Sequence, residues 1–155
     1  MRKLTIAAAS LAVLMSTTAS AGELRSIGES MDLVQQGRVA PSYIPQRCAA
    51  VIHAVDSWAG KEYLGEERWQ FGLDSIRNFT INAVIIMYNR QGGEAKELMA
   101  TVSSAVQVMA DIYRARMDNN YATGGQGWGD DKLINDDFLL CITYAKQKIE
   151  SGKWE

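Results

Sequence analysis

Cys48 and Cys141 are the two cysteines of the chain and stand 93 positions apart. With no Cys-x-x-Cys spacing, the pair predicts a structural disulfide rather than a redox-active dithiol, given an oxidising compartment. Closing a loop of that length is worth at most about 4–5 kcal/mol in the chain-entropy picture. His53 is the single histidine. One imidazole cannot make a His-rich zinc site, and no Cys-x-x-Cys-His run offers covalent haem attachment. Helical spacing sets His53 opposite the apolar side of its segment, where a solvated side chain is expected and an axial haem ligand is not.

Carboxylates supply the remaining chemistry. Asp130, Asp131, Asp136 and Asp137, with Asn135 among them, form the kind of oxygen-rich cluster a hard cation takes, and they are the candidate metal ligands. The EF-hand spacing is absent, however, and acids at a helix start already have a reason in the helix dipole, so no cofactor is expected. Glu62, Glu66 and Glu67 could be imagined as acid/base groups, but nothing fixes a partner for them, and a solvated helix start explains them. Asp74, Asn78 and Asn82 repeat every four residues as one polar row, expected to face solvent.

Trp128 stands between Gly127 and Gly129 in the run from Asn119 to Gly129, which reads as a long irregular loop. Loops of that length without secondary structure are often functional, and tryptophan is a favoured interface anchor. Tyr121 and Trp128 are therefore the candidate binding residues. The ring is expected either to plug the core or to project as an aromatic hook.

The elements that would position these residues follow from apolar spacing. Leu24, Ile27, Met31 and Val34 mark a first helix that stops near Gly37. Pro45 opens a second, with Cys48, Val51, Ile52, Val55 and Ala59 on one side and Gly60 at its end. Trp69, Leu73, Ile76, Thr80, Ala83 and Met87 mark a third, which Gly92-Gly93 ends. Its segment 79–88 is rich in β-branched residues, but roughly 25 residues without a turn signal exceed a strand. Its wide apolar coverage predicts the most buried helix. Leu98, Val102, Ala105, Val106, Met109, Tyr113 and Met117 mark a fourth, from about Glu94 to Asn120. A fifth begins near Asn135 as N-cap, carries Phe138, Cys141, Ile142, Ala145 and Ile149 inward, and closes at Gly152. The fold class is all-α: a single-domain bundle of about five amphipathic helices over residues 22–155, with one disulfide linking the second helix to the fifth. Leu73, Ile76, Val102, Val106, Met109, Phe138 and Ile142 are expected in the core.

Residues 1–21 read as a cleavable signal peptide: Arg2-Lys3, an apolar stretch from Leu4 to Met15, and Ala19-Ser20-Ala21 before the cut. That stretch is about 12 residues against the roughly 20 needed to span a bilayer. No cysteine follows the cut and no Arg-Arg pair precedes it, which excludes a lipid anchor there and disfavours twin-arginine export. The location expected is periplasmic or secreted. Without Arg2 and Lys3, fourteen basic residues face eighteen acidic ones, about −4 net. That balance argues against a nucleic-acid partner. No later apolar run reaches membrane length, so no span is expected in the mature chain.

The function these features predict is a non-enzymatic helical protein that binds a protein or small ligand in the cell envelope, chaperone-like or inhibitor-like. The alternatives are a small enzyme using carboxylates in a bundle pocket, which a converging pair of buried carboxylates would favour, and a metal or haem carrier.

Overall fold

The computed structural model describes residues 24–152 and Trp154; the expected leader lies outside the described residues. Six helices run in the order α1 (Ile27–Gln35), α2 (Tyr43–Ala59), α3 (Lys61–Leu64), α4 (Glu66–Gln91), α5 (Ala95–Gly124) and α6 (Lys132–Ser151). This is the all-α bundle that the apolar spacing implied, with the single turn of α3 added between Gly60 and Gly65. Both glycines hold positive φ, 76° and 79°, and let the chain turn sharply at each end of α3.

The centre of the bundle is α2, packed against α1, α3, α4, α5 and α6. Its run Cys48-Ala49-Ala50-Val51-Ile52 is wholly buried, as are Ala54, Val55 and Asp56. A helix apolar on nearly every side is stable only when surrounded. The expectation that the third amphipathic segment would be the most buried is thus corrected: α4 lies outside α2. Its buried residues are Gly72, Ser75, Phe79, Ala83 and Val84, the first three each one position before Leu73, Ile76 and Thr80 of the expected stripe. Small side chains there let the backbone of α4 approach α2, so Leu73 turns outward to 43% exposure and Ile76 is only partly buried.

The inner face of α5 is Leu98, Val102, Val106, Met109, Ala110, Tyr113 and Met117, in agreement with its apolar spacing. On α6 the buried row is Ile134, Asp137, Cys141 and Ala145, while Phe138 and Ile142 are half-buried rather than core. Asp137 takes a place in that row which spacing alone gave to apolar neighbours. Cys48 and Cys141 are joined, with Cα atoms 5.2 Å apart, and pin α6 to α2. Ser26 caps α1 in a capping box with Glu29.

Two boundaries near the candidate site differ from the sequence reading. The last turns of α5 continue through Tyr121 to Gly124 and end at Gly125 in a left-handed conformation. The irregular loop is therefore residues 125–131, and Tyr121 is helical. Asp131, not Asn135, caps α6, accepting from the backbone N–H groups of Leu133 and Ile134 at 3.1 and 3.2 Å. The helix starts earlier because this carboxylate satisfies two amides that would otherwise lack partners.

Candidate functional site

The loop after α5 is held from beneath by one carboxylate. Besides capping α6, Asp131 accepts from Arg116 Nε and from Asn120 Nδ2, the latter at 2.7 Å. Asn120 Nδ2 also donates to the Gly127 carbonyl at 3.2 Å. Burial works against ionisation of Asp131, but its bonds from Arg116, Asn120 and the Ile134 amide prevail and hold its pKa below the usual carboxylate value. The loop is thereby fixed to the end of α5 before Trp128 is reached.

Trp128 packs edge-to-face on Trp58 of α2, with ring centroids 5.3 Å apart, and Tyr121 meets the same ring at 5.5 Å. The approach needs a glycine: a Cβ on Gly127 would sit 2.8 Å from the Trp58 ring. Trp58 Nε1 donates to Asp118 at 3.2 Å. Trp128 is neither a core plug nor a free hook: it is half-buried, packed against the core beside Trp58. Between Trp58, Tyr63 and Trp128 lies a cleft of about 410 Å³, floored by Ala59 and the loop glycines. Tyr63 is 77% exposed and Tyr121 58%. Sequence reading found Trp128 and Tyr121 but missed Trp58 and Tyr63. The signal lay in the order Trp58-Ala59-Gly60 and Tyr63-Leu64-Gly65, two aromatics beside helix-ending glycines.

A larger open groove, about 780 Å³, lies between the starts of α1 and α6. Its charged lining is largely engaged within the chain: Glu29 with Ser26, Arg116 with Asp131, and Lys132 with Asp136. That leaves the aromatic cleft as the better candidate.

The expected carboxylate cluster is dispersed by its partners. Asp131 serves the loop, Asp136 pairs with Lys132, and Asp130 is exposed. Asp137 is buried, where its Oδ1 accepts from the Ile27 amide at 2.7 Å and its Oδ2 takes Arg47 and the Tyr113 hydroxyl. Among the described residues no group of three or more His, Cys, Asp or Glu is placed to hold a metal ion.

Arg47, Tyr113 and Asp137 form a network that sequence reading missed entirely. Arg47 Nε donates to Tyr113 Oη at 2.9 Å, and the guanidinium also reaches Tyr43 Oη and the Arg25 carbonyl, each at 3.0 Å. Burial opposes the charge on Arg47, but Tyr113, Tyr43 and Asp137 outweigh it and raise its pKa. Burial, the largest influence, raises the Tyr113 pKa and keeps the phenol protonated as a donor to Asp137. The network ties α1, α2, α5 and α6 together at one end of the bundle.

Asp56, also on α2, is the contrasting case. It is 6% exposed, and its Oδ2 has no hydrogen-bond partner. The carboxyl lies against Gly72 of α4, where a Cβ would come within 1.8 Å of Oδ2. Burial pushes its pKa up to about 7. Nine residues of helix separate Asp56 from Arg47, roughly 13 Å of rise, so the two buried carboxylates, Asp56 and Asp137, do not converge on one cleft. His53 is half-buried rather than solvated, and desolvation together with Arg114 lowers its pKa against the opposing pull of Asp111.

No helix among the described residues is long and apolar enough to cross a membrane. Comparison with known proteins finds no family model, no curated protein and no solved structure that matches this chain.

Proposed function

We propose that the chain is an exported binding protein, inhibitor-like in mode, that docks a protein partner on the cleft of Trp58, Tyr63 and Trp128 and on Tyr121, which packs beside it on the Trp58 ring. The observation that carries this reading is a cluster of aromatic rings, Tyr63 and Tyr121 largely exposed and Trp58 and Trp128 partly so, beside a loop that is itself pinned. Asp131, Asn120 and the Gly127–Trp58 approach fix the surface before binding, so little ordering entropy is lost on docking. Large, rigid aromatic side chains are the usual anchors of such interfaces. The rim supports a cationic contact from the partner: Asp118 forms no ion pair among the described residues, while the neighbouring Arg114 is engaged with Asp111. The leader-like residues 1–21 and the Cys48–Cys141 disulfide support a site of action outside the cytoplasm.

Trp128→Ala would confound binding with loop support, so the test uses Tyr63 and Tyr121, whose rings are largely exposed. The tagged mature chain captures a partner from its own cell envelope, and the purified pair is titrated by calorimetry. Tyr63→Ala/Tyr121→Ala should weaken that pair about 30-fold or more, equivalent to about 2 kcal/mol, with the thermal midpoint within a few degrees of wild type. Unchanged affinity would remove the cleft as the docking surface.

The exposed apolar row of Met31, Leu139, Leu140 and Tyr144 on α1 and α6 supports a second, chaperone-like reading. Suppression of aggregation of a denatured client, lost in Leu140→Lys, would favour it over the first.

A further inference from the structure

The C-terminal turn of α2 joins two features that the binding reading uses separately. Asp56 faces α4, and two residues later Trp58 forms the wall of the cleft. The backbone carbonyl of Asp56 accepts from the Gly60 amide at 2.8 Å, closing the helix just before α3 and Tyr63. Asp56 thus lies in the turn from which both cleft aromatics depart.

The Asp56 carboxyl has one oxygen, Oδ2, sealed from water with no donor in reach, and the surface it meets is Gly72. Around this end of α2 the charged side chains are Lys61 and Glu62 of α3, Arg68 and Asp74 of α4, and Asp111, Arg114 and Asp118 of α5. Glu62 and Arg68 are exposed, and the bonds of the others go to groups other than Asp56: Lys61 with Glu66, Asp74 with Gln70, Asp111 with Arg114 and Gln107, and Asp118 with Trp58. His53, one turn earlier on α2, interacts with Asp111 and Arg114 of α5. At the other end of α2, α1 and α6 are engaged through Arg47 and Cys48. Burial is what raises the Asp56 pKa.

We propose that Asp56 is a protonation-controlled wedge in the α2–α4 seam that sets the geometry of the aromatic cleft. Protonated, the carboxyl stays seated against Gly72, and Trp58 keeps its contacts with Tyr121, Trp128 and Asp118. Ionised, it is drawn toward water past the Gly72 backbone, loosening the α2 turn and the Trp58 wall. The position of this titration, pushed up to about 7, makes the cleft responsive to the pH range across which an exported protein's surroundings vary. The inference rests on the cleft as the binding surface only for its biological meaning. The coupling itself is read without a partner, so loss of one reading leaves the other standing.

The test is ¹⁹F NMR of the 5-fluorotryptophan-labelled mature chain between pH 5 and 9, with Trp58 assigned from Trp58→Phe. Asp56 is titrated in parallel through its ¹³C carboxyl resonance in unsubstituted protein, which requires no variant. The Trp58 and Trp128 resonances should shift with one midpoint that coincides with the Asp56 carboxyl, near 7. In Asp56→Asn they should hold their acidic-limit positions throughout, and His53→Gln should leave the transition in place. A carboxyl midpoint near 4, a transition that survives in Asp56→Asn, or ring resonances that ignore the Asp56 titration would each overturn the proposal.

Discussion

Two carboxyl groups are buried against the same helix, and their surroundings are opposite. At the end of α2 near its N-terminus, Asp137 is bound by Arg47, Tyr113 and the Ile27 amide, and every element there is tied to another. At the other end, Asp56 has a glycine for a neighbour and no partner for its buried oxygen. The first arrangement resists change, because removal of any member strands the others in a low-dielectric interior. The second is poised, since the same burial without compensation leaves two protonation states close in energy near neutral pH. The aromatic cleft opens at the poised end, and the disulfide and the ion pair sit at the closed end. One helix thus has a closed, fully bonded end and an end where a buried carboxyl lies beside the aromatic cleft.

Breaking the closed end should give the largest effect. Arg47→Ala leaves the Asp137 carboxylate buried with one hydrogen bond donor lost and its counter-charge gone, which should lower unfolding free energy by about 3–5 kcal/mol in urea titration. Arg47→Met, which fills much of the space, would show the same deficit if the stranded charge is the cause and a smaller one if the lost volume is. The disulfide comes next. Cys48→Ser should cost about 2–4 kcal/mol, chiefly through the freedom regained by the unfolded chain, and the loss should vanish when wild type is compared under reducing conditions. Both substitutions act at the far end of α2, and the Trp58 and Trp128 environments should survive them wherever the protein remains folded.

The same comparison explains which parts of the molecule the sequence disclosed. The cysteine pairing was legible because two thiols permit one intramolecular bridge, and both fell on apolar faces. The α5 stripe was legible because its Leu98, Val102, Val106, Met109 and Met117 repeat at helical steps on one face. Arg47 and Asp137 were not, since their burial depends on each other and on a Tyr113 contributed by a distant helix. The face of α4 was misjudged in its first half because Gly72 and Ser75 carry no hydrophobic signal, although close approach to α2 selects them, while Ala83 fell on the expected stripe. Leu73, the stronger signal, was left outside. At the cleft, Trp128 drew notice through its flanking glycines, while Gly127 had the specific role of admitting the Trp58 ring. The end of α5 was hidden by Asn119, Asn120, Thr123 and Gly124, weak helix formers that the Asn120–Asp131 contact holds in place.

The difference between the two carboxyl groups is tested most directly by the pH dependence of stability in wild type and Asp56→Asn. Asp56 has an ordinary value of 3.8 and a folded value of about 7. Below pH about 4 both folded and unfolded chains carry it protonated, and no stability is lost. Above that the unfolded chain releases the proton first, so wild type loses stability progressively until pH passes about 7. Asn cannot ionise, so its advantage over wild type should grow across this window and level off near pH 8. Each pKa unit is worth about 1.4 kcal/mol; movement of the ionised side chain toward water returns part of this, leaving a gain on the order of 2 kcal/mol. Denaturant titrations of both proteins at pH 4.5 and pH 8 measure it. The gap should widen toward high pH in favour of Asp56→Asn; a constant gap, or one that reverses in favour of wild type, would show that Asp56 is not a destabilising buried carboxylate at neutral pH.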